Sequence, residues 1–172
     1  ESAPKVALAL KDYFDRPVEV STEKLVETNY LTEYNKKNID LKLHGQLDAI
    51  IEDGKKVEIS DYKTREAMSV NAIKGETKDS DGNYFRQLVF YKILLENDSQ
   101  YNGKQIEPSL IFVKPDSKDR CPIISLPITK EDTLKVKEEI NELIKSVWSG
   151  DFLSHTCDDK DCQYCAYRKL LW

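Results

Sequence analysis

Asp61 and Lys63 stand two positions apart in the run Val57-Glu58-Ile59-Ser60-Asp61-Tyr62-Lys63-Thr64. Residues two apart on a β-strand point to the same side, so a carboxylate and an ammonium share one face of a segment apolar enough to be half buried. Such charges are costly away from water unless they serve each other or an ion. Asp48 precedes Asp61 by thirteen positions, and the intervening Glu52-Asp53-Gly54-Lys55 carries an Asp-Gly pair, a strong hairpin signal. Folding back at that turn brings Asp48 to the corresponding end of the neighbouring strand. Two carboxylates so close repel, and one takes up a proton unless a cation sits between them. Mg²⁺ suits the position, because it prefers hard oxygen ligands and keeps waters for a phosphate substrate. The chemistry is then phosphodiester hydrolysis, with Lys63 orienting water or neutralising charge on the phosphate.

Charged residues make up 33% of the chain, so this string alone fits an incidental Asp-x-Lys ion pair on a surface hairpin equally well. A second element shifts the balance. Tyr84-Phe85-Arg86-Gln87-Leu88-Val89-Phe90-Tyr91 reads as helix, and Gln87 and Tyr91, four apart, share a face with Tyr84 one turn earlier. An amide and a phenol there can bond phosphate oxygens or hold the active-site residues in place. Amphipathic tyrosines at a core edge are the plainer reading.

The elements that must position these residues follow from the pattern. Residues 4–15 form a short amphipathic helix, with Val6, Leu8, Ala9, Leu10, Tyr13 and Phe14 as its apolar positions, ending near Pro17. Residues 18–34, rich in Val, Thr and Tyr, are extended, and 35–38 turn. Residues 39–51 and 56–64 form an antiparallel pair, the first alternating Leu41, Leu43, Gly45 and Leu47 against Lys42, His44, Gln46 and Asp48. Residues 67–82, polar and charged, are expected as a mobile loop. A helix over 83–96 and strands over 109–114 and 123–128 come next. Thr129 with Asp132 then announces a capping box. The helix behind it carries Leu134, Ile140, Leu143, Ile144, Val147 and Trp148 on one face and stops at Gly150. The order predicts an α/β (α+β) fold, a sheet with helices packed on it.

Taken together, the strings Gly45-Gln46-Leu47-Asp48, Ile59-Ser60-Asp61-Tyr62-Lys63-Thr64 and Tyr84-x-x-Gln87-Leu88-x-x-Tyr91 resemble the RecB-like branch of the PD-(D/E)XK nuclease superfamily. The resemblance runs from about Val18 to the C-terminus. It implies a restriction-endonuclease-like central mixed sheet flanked by helices. It also implies Mg²⁺ or Mn²⁺ held by Asp48, Asp61 and the backbone carbonyl of Tyr62, with Lys63 as catalytic lysine and Gln87 and Tyr91 in support. The implied activity is a metal-dependent deoxyribonuclease, exonuclease favoured over endonuclease, acting on DNA in recombination and repair. Its partner would be a UvrD-type helicase in the same chain, or the AddAB and RecBCD machines. The alternative is a catalytically inactive nuclease-fold module that binds DNA or a partner subunit; retention of both aspartates and the lysine favours the enzyme.

The chain departs from its relatives in two places. Many carry a His or a further acidic ligand on an earlier helix, and residues 4–15 contain no His; the ligand lies upstream of these residues or is replaced by Glu19 or Glu23, while His44 reads as structural. The cysteines are the second departure. Cys162 and Cys165 are followed by Tyr167-Arg168 as in relatives with an iron–sulfur cluster, but Leu171 stands where the last Cys is expected. A 4Fe-4S cluster would need Cys157 or Cys121 as substitutes. His155, Cys157, Cys162 and Cys165 have the types for tetrahedral zinc. Free thiols in a short tail over 155–172 are the third reading, placed first, ahead of zinc and then the cluster.

Composition agrees with one soluble domain over 1–172: 172 residues, 40% hydrophobic, net charge −5. That charge advertises no nucleic-acid surface, though local patches matter more than the sum. No run of eighteen apolar residues would span a membrane. The absent initiator Met leads us to expect a C-terminal piece of a larger protein, and the clustered cysteines without a secretory signal favour an intracellular setting; the resemblance implies the bacterial cytoplasm, or association with the nucleoid.

Overall fold

A computed structural model describes residues 3–154, 157, 161–163 and 165–167. Helix α1 (Ala3–Phe14) leads into β1 (Glu19–Tyr34), β2 (Lys37–Asp53) and β3 (Lys56–Lys63). A short helix α2 (Val70–Lys74) and a long α3 (Asn83–Asn97) follow, then β4 (Gln105–Phe112), β5 (Ile123–Ser125) and α4 (Lys130–Ser149). The five strands form one sheet in chain order, antiparallel throughout except for parallel β3 and β4. Helices α2 and α3 make the crossover that this parallel pair requires. The sheet is therefore mixed and flanked by helices, as the sequence predicts.

The core lies mainly between the sheet and α3. Leu94, Leu95 and Tyr91 of α3 meet Val26, Leu47, Ile50, Val57 and Ile59 of the first three strands. The opposite side of α3 is also covered: Val89 and Ile93 pack on Val136, with Ile140 beside them. Being buried on two sides, α3 has apolar residues around most of its circumference rather than in one stripe. Helix α1 covers the other face of the sheet, where Leu10 packs on Ile111 and Cys121. Four side chains clamp it there. Arg16 reaches both carboxylate oxygens of Glu58 at 3.1 and 3.0 Å, while the Tyr13 hydroxyl lies 3.1 Å from Glu58 and 3.0 Å from Ser60 Oγ.

Three expectations are corrected. Residues 67–82 are folded rather than a mobile loop: Ser69 caps α2, and Gly75, with φ of 79°, closes it in the left-handed region. The Thr129–Asp132 capping box forms and Gly150 ends α4, but the apolar face of α4 is only partly covered. Val136 and Ile144 are buried, whereas Leu134, Leu143, Val147 and Trp148 are exposed. The reason is that α4 rests on α3 and on the tip of β1, where Asn141 accepts from Tyr30 and Thr32 at 3.2 and 2.8 Å. Finally, β4 begins four residues earlier than expected, and β5 stops at Ser125, two residues before Pro127, which has no N–H for a ladder.

Candidate active site

Asp48, Asp61 and Lys63 converge because β2 stops alternating at the right place. Leu47 and Ile50 enter the same core cluster although they are three positions apart, so the period of two breaks between them. The β2–β3 ladder runs only as far as Ala49 opposite Ser60. In β1 the pairing skips Glu23, opposite Asp48, and Glu23 has φ of 49°. Where the ladder ends, the Asp48 carboxylate takes over from the backbone: its Oδ2 accepts the Tyr62 N–H at 2.8 Å. Asp48 is thereby fixed against the segment that carries Asp61 and Lys63.

A closed ring of polar side chains joins β3 to α3. Lys63 Nζ lies 2.5 Å from Asp61 Oδ2 and donates to Gln87 Oε1 at 2.8 Å. Gln87 Nε2 donates to the Tyr91 hydroxyl at 2.8 Å. That hydroxyl, with one proton, faces the Gln46 carbonyl at 3.3 Å and Asp61 Oδ1 at 3.5 Å, closing the circuit. Gly45 lets α3 approach this end of β2, since a methyl there would stand 2.8 Å from Leu94 Cδ1. All five residues singled out in the sequence therefore meet at one place.

Helix α3 is aimed by two glycines. A Cβ on Gly75 would come within 2.8 Å of the Gly82 nitrogen, and both residues have positive φ. The ends of the connection touch backbone to backbone, which only glycine allows, and α3 starts at Asn83 with Tyr84 next. The Tyr84 ring lies against Lys63, its centroid 4.5 Å from Nζ, a cation–π contact. Tyr84 is the member whose placement sequence reasoning undervalued; its position one turn before Gln87 was the available signal.

Burial sets the electrostatics. Asp61 is almost inaccessible, and its carboxyl is pushed above the usual carboxylate range, chiefly by loss of water; Lys63 opposes this and the Asp48 charge adds to it. Asp61 Oδ2 is ion-paired with Lys63 but has no aligned hydrogen bond. The Tyr91 phenol is pushed up to about 12, by burial first and by the Asp61 charge second. It therefore stays a neutral donor. A buried carboxylate oxygen without a hydrogen bond, beside a second carboxylate, fits the hard-oxygen donor set of a divalent cation.

The other acidic and His candidates lie elsewhere. His44 is exposed and faces Glu27 across the β1–β2 ladder, and Glu19 faces Glu52 at the far end of β1. Glu23 alone is opposite Asp48. In the tail, the sulfurs of Cys157, Cys162 and Cys165 gather within 4.8 Å of one another, with Cys157 and Cys165 at 3.4 Å. Cys121 is not with them: it is buried against Leu10 and Ile111, so its thiol serves packing in this structure. His155 and Leu171 lie outside the described residues.

A mixed sheet wrapped by helices, with two carboxylates and a lysine at the mouth of a hairpin and a Gln–Tyr pair behind them, defines a nuclease-type α+β domain. The family model described as "PD-(D/E)XK nuclease superfamily" matches residues 3–170. The chain belongs to that superfamily. No curated protein matches it. Among solved structures, "Crystal structure of SSO0001" is similar at 20% identity and a TM-score of 0.41, covering 81% of this chain. The match spans 57% of that protein's length. Among the described residues, no helix is long and apolar enough to cross a membrane.

Proposed function

We propose that this chain is a divalent-metal-dependent deoxyribonuclease in which Asp48, Asp61 and the carbonyl of Tyr62 hold Mg²⁺ or Mn²⁺. The observation that carries this reading is the Asp61–Lys63–Gln87–Tyr91 ring with the Asp48 carboxylate anchored beside it. A bound divalent ion supplies positive charge to a phosphoryl oxygen and lowers the pKa of water at the site. The protein's own part is positional. Gln87 and Tyr84 fix the Lys63 ammonium where negative charge grows on the phosphate, and Tyr91, kept protonated, holds Gln87 and donates toward Gln46 or Asp61. Such preorganised donors need no rearrangement as the reaction proceeds. The resemblance of the three motif strings to RecB-like nucleases further supports an exonuclease acting in DNA recombination or repair, in the bacterial cytoplasm, beside a UvrD-type helicase.

The test is cleavage of linear single- and double-stranded DNA with Mn²⁺ or Mg²⁺. Wild type should cut and stop with EDTA, and Asp61→Ala should lose at least ~10³-fold in rate, since it removes a ligand of the activating charge. Binding without cleavage by the folded wild type would instead identify an inactive DNA-binding module.

A further inference from the structure

The folded connection between β3 and α3 encloses a space beside the catalytic ring. A cavity of about 500 Å³ opens among Arg65, Met68, Ile73, Lys78, Ser80 and Tyr84, within the roughly 300–1,000 Å³ usual for small-ligand sites. Tyr84 is a wall shared with the catalytic centre, because its ring also meets Lys63 Nζ at 4.5 Å. Arg65 lies 6.0 Å from the same ring centroid. Its neighbour Glu66 is committed to Lys114 at 2.7 Å, and Arg65 makes no ion pair among the described residues. Lys78 is likewise exposed. The interior is thus an aromatic wall with apolar Met68 and Ile73, and Arg65 brings a cation to the ring that Lys63 also meets. Asp79 and Asp81 also line it, and Asp81 is held in place by the Asn83 N–H at 3.0 Å. Phosphate is repelled by the two aspartates and attracted by Arg65.

We propose that this cavity is a nucleotide subsite, taking one unpaired DNA base against Tyr84 with the phosphate of that nucleotide on Arg65, directly beside the bond cleaved at Asp61 and Lys63. The proposal rests on the nuclease reading and adds to it a substrate class. A base must leave its stack to enter, a cost borne by duplex and absent from a single strand, so unpaired strands are the preferred substrate. Stacking on an aromatic ring tolerates any base, which suits sequence-independent cleavage.

Binding tests it without relying on cleavage. Fluorescence anisotropy in Mg²⁺ with Asp61→Asn protein compares a short thymidine oligonucleotide, the same backbone with abasic sites, and a blunt duplex. The thymidine strand should bind about tenfold tighter than the abasic strand and tighter than the duplex. In that background Tyr84→Leu should erase the gain from the bases, bringing the ratio of thymidine to abasic affinity to about one, whatever it does to the shared phosphate contacts. Arg65→Ala should weaken thymidine and abasic strands alike. Ala72→Phe, which fills the cavity from α2 without touching Lys63, should reproduce the loss of base dependence and guards against misfolding of the Tyr84 variant. Equal affinity for strands with and without bases, no binding at all, or a base-dependent gain that survives both Tyr84→Leu and Ala72→Phe overturns the subsite. If wild type fails to cut DNA while base-dependent binding persists, the nuclease reading falls and the subsite stands.

Discussion

Asp61 is held in a state that the protein alone does not favour. Its carboxyl sits above the ordinary carboxylate range because burial outweighs the attraction of Lys63. For a carboxyl raised in the folded state, the stabilising contribution is complete below the unfolded value, 3.8, and is lost as pH rises through the higher folded value. Above the folded value the ionised side chain therefore destabilises the metal-free protein. The neutral isostere Asp61→Asn should raise the metal-free melting temperature at pH 7. Mg²⁺ should then stabilise wild type, since a ligand of the native state alone adds to its stability, and should leave Asp61→Asn unmoved. Equal Mg²⁺ shifts in the two proteins, measured by thermal scanning, would show that Asp61 holds no cation. The identities at this site were legible in the sequence, because Asp48, Asp61, Lys63, Gln87 and Tyr91 stand in ordered strings. Their closure into a ring was not. It depends on a break in strand alternation at Asp48, opposite a Glu23 with φ of 49°, and the run Leu41, Leu43, Gly45, Leu47 conceals that break.

Strands and helices were legible where one period dominates. The hairpin turn at Asp53-Gly54, the capping box at Thr129 and the stop at Gly150 all mark their elements through local chemistry. Helix α2 was hidden inside a polar stretch, although Ser69 before it and Gly75 after it are its cap residues. The exposed part of α4 was misjudged because periodicity reveals an apolar face and not the size of the surface that meets it. The docking of α1 was equally invisible, since Glu58 lies more than forty residues from both Tyr13 and Arg16 yet bonds each directly. Glu58 is held below the usual carboxylate range, by the Arg16 guanidinium first, with burial opposing. A lowered carboxyl contributes stability that is complete above the unfolded value, 4.5, and lost as pH falls through the lower folded value. Glu58→Gln should therefore cost about 1–2 kcal/mol at pH 7, a figure kept modest because Arg16 is about a third exposed. It should also flatten the acid limb of the stability curve below about pH 4.5. Urea melts from pH 3 to 7 would decide it; parallel curves for the two proteins would mean that this clamp contributes nothing to folding.

A net charge of −5 is an awkward property for a protein that handles a polyanion, and the placement of ion pairs shows how the two are compatible. Many of its cations are already matched: Arg16 and Lys56 with Glu58, Lys104 with Glu52, Lys114 with Glu66, Arg120 with Asp116. Those matched cations are the less able to track a duplex backbone. The cations closest to the proposed subsite are Lys63 in the ring and Arg65 and Lys78 at the neighbouring cavity. Each phosphate neutralised on a single strand releases counterions worth about −0.7 in the slope of log affinity against log salt. Three such contacts predict a slope of about −2, far shallower than that of proteins that neutralise six to ten phosphates. Titrating a single-stranded oligonucleotide against Asp61→Asn protein at a series of NaCl concentrations measures it directly. A slope steeper than about −5 would reveal a much larger phosphate-binding surface and would move the centre of recognition away from the β3–α3 connection. A shallow slope leaves affinity to be gained from contacts other than charge, of which the stacking of a base on Tyr84 is the one proposed above.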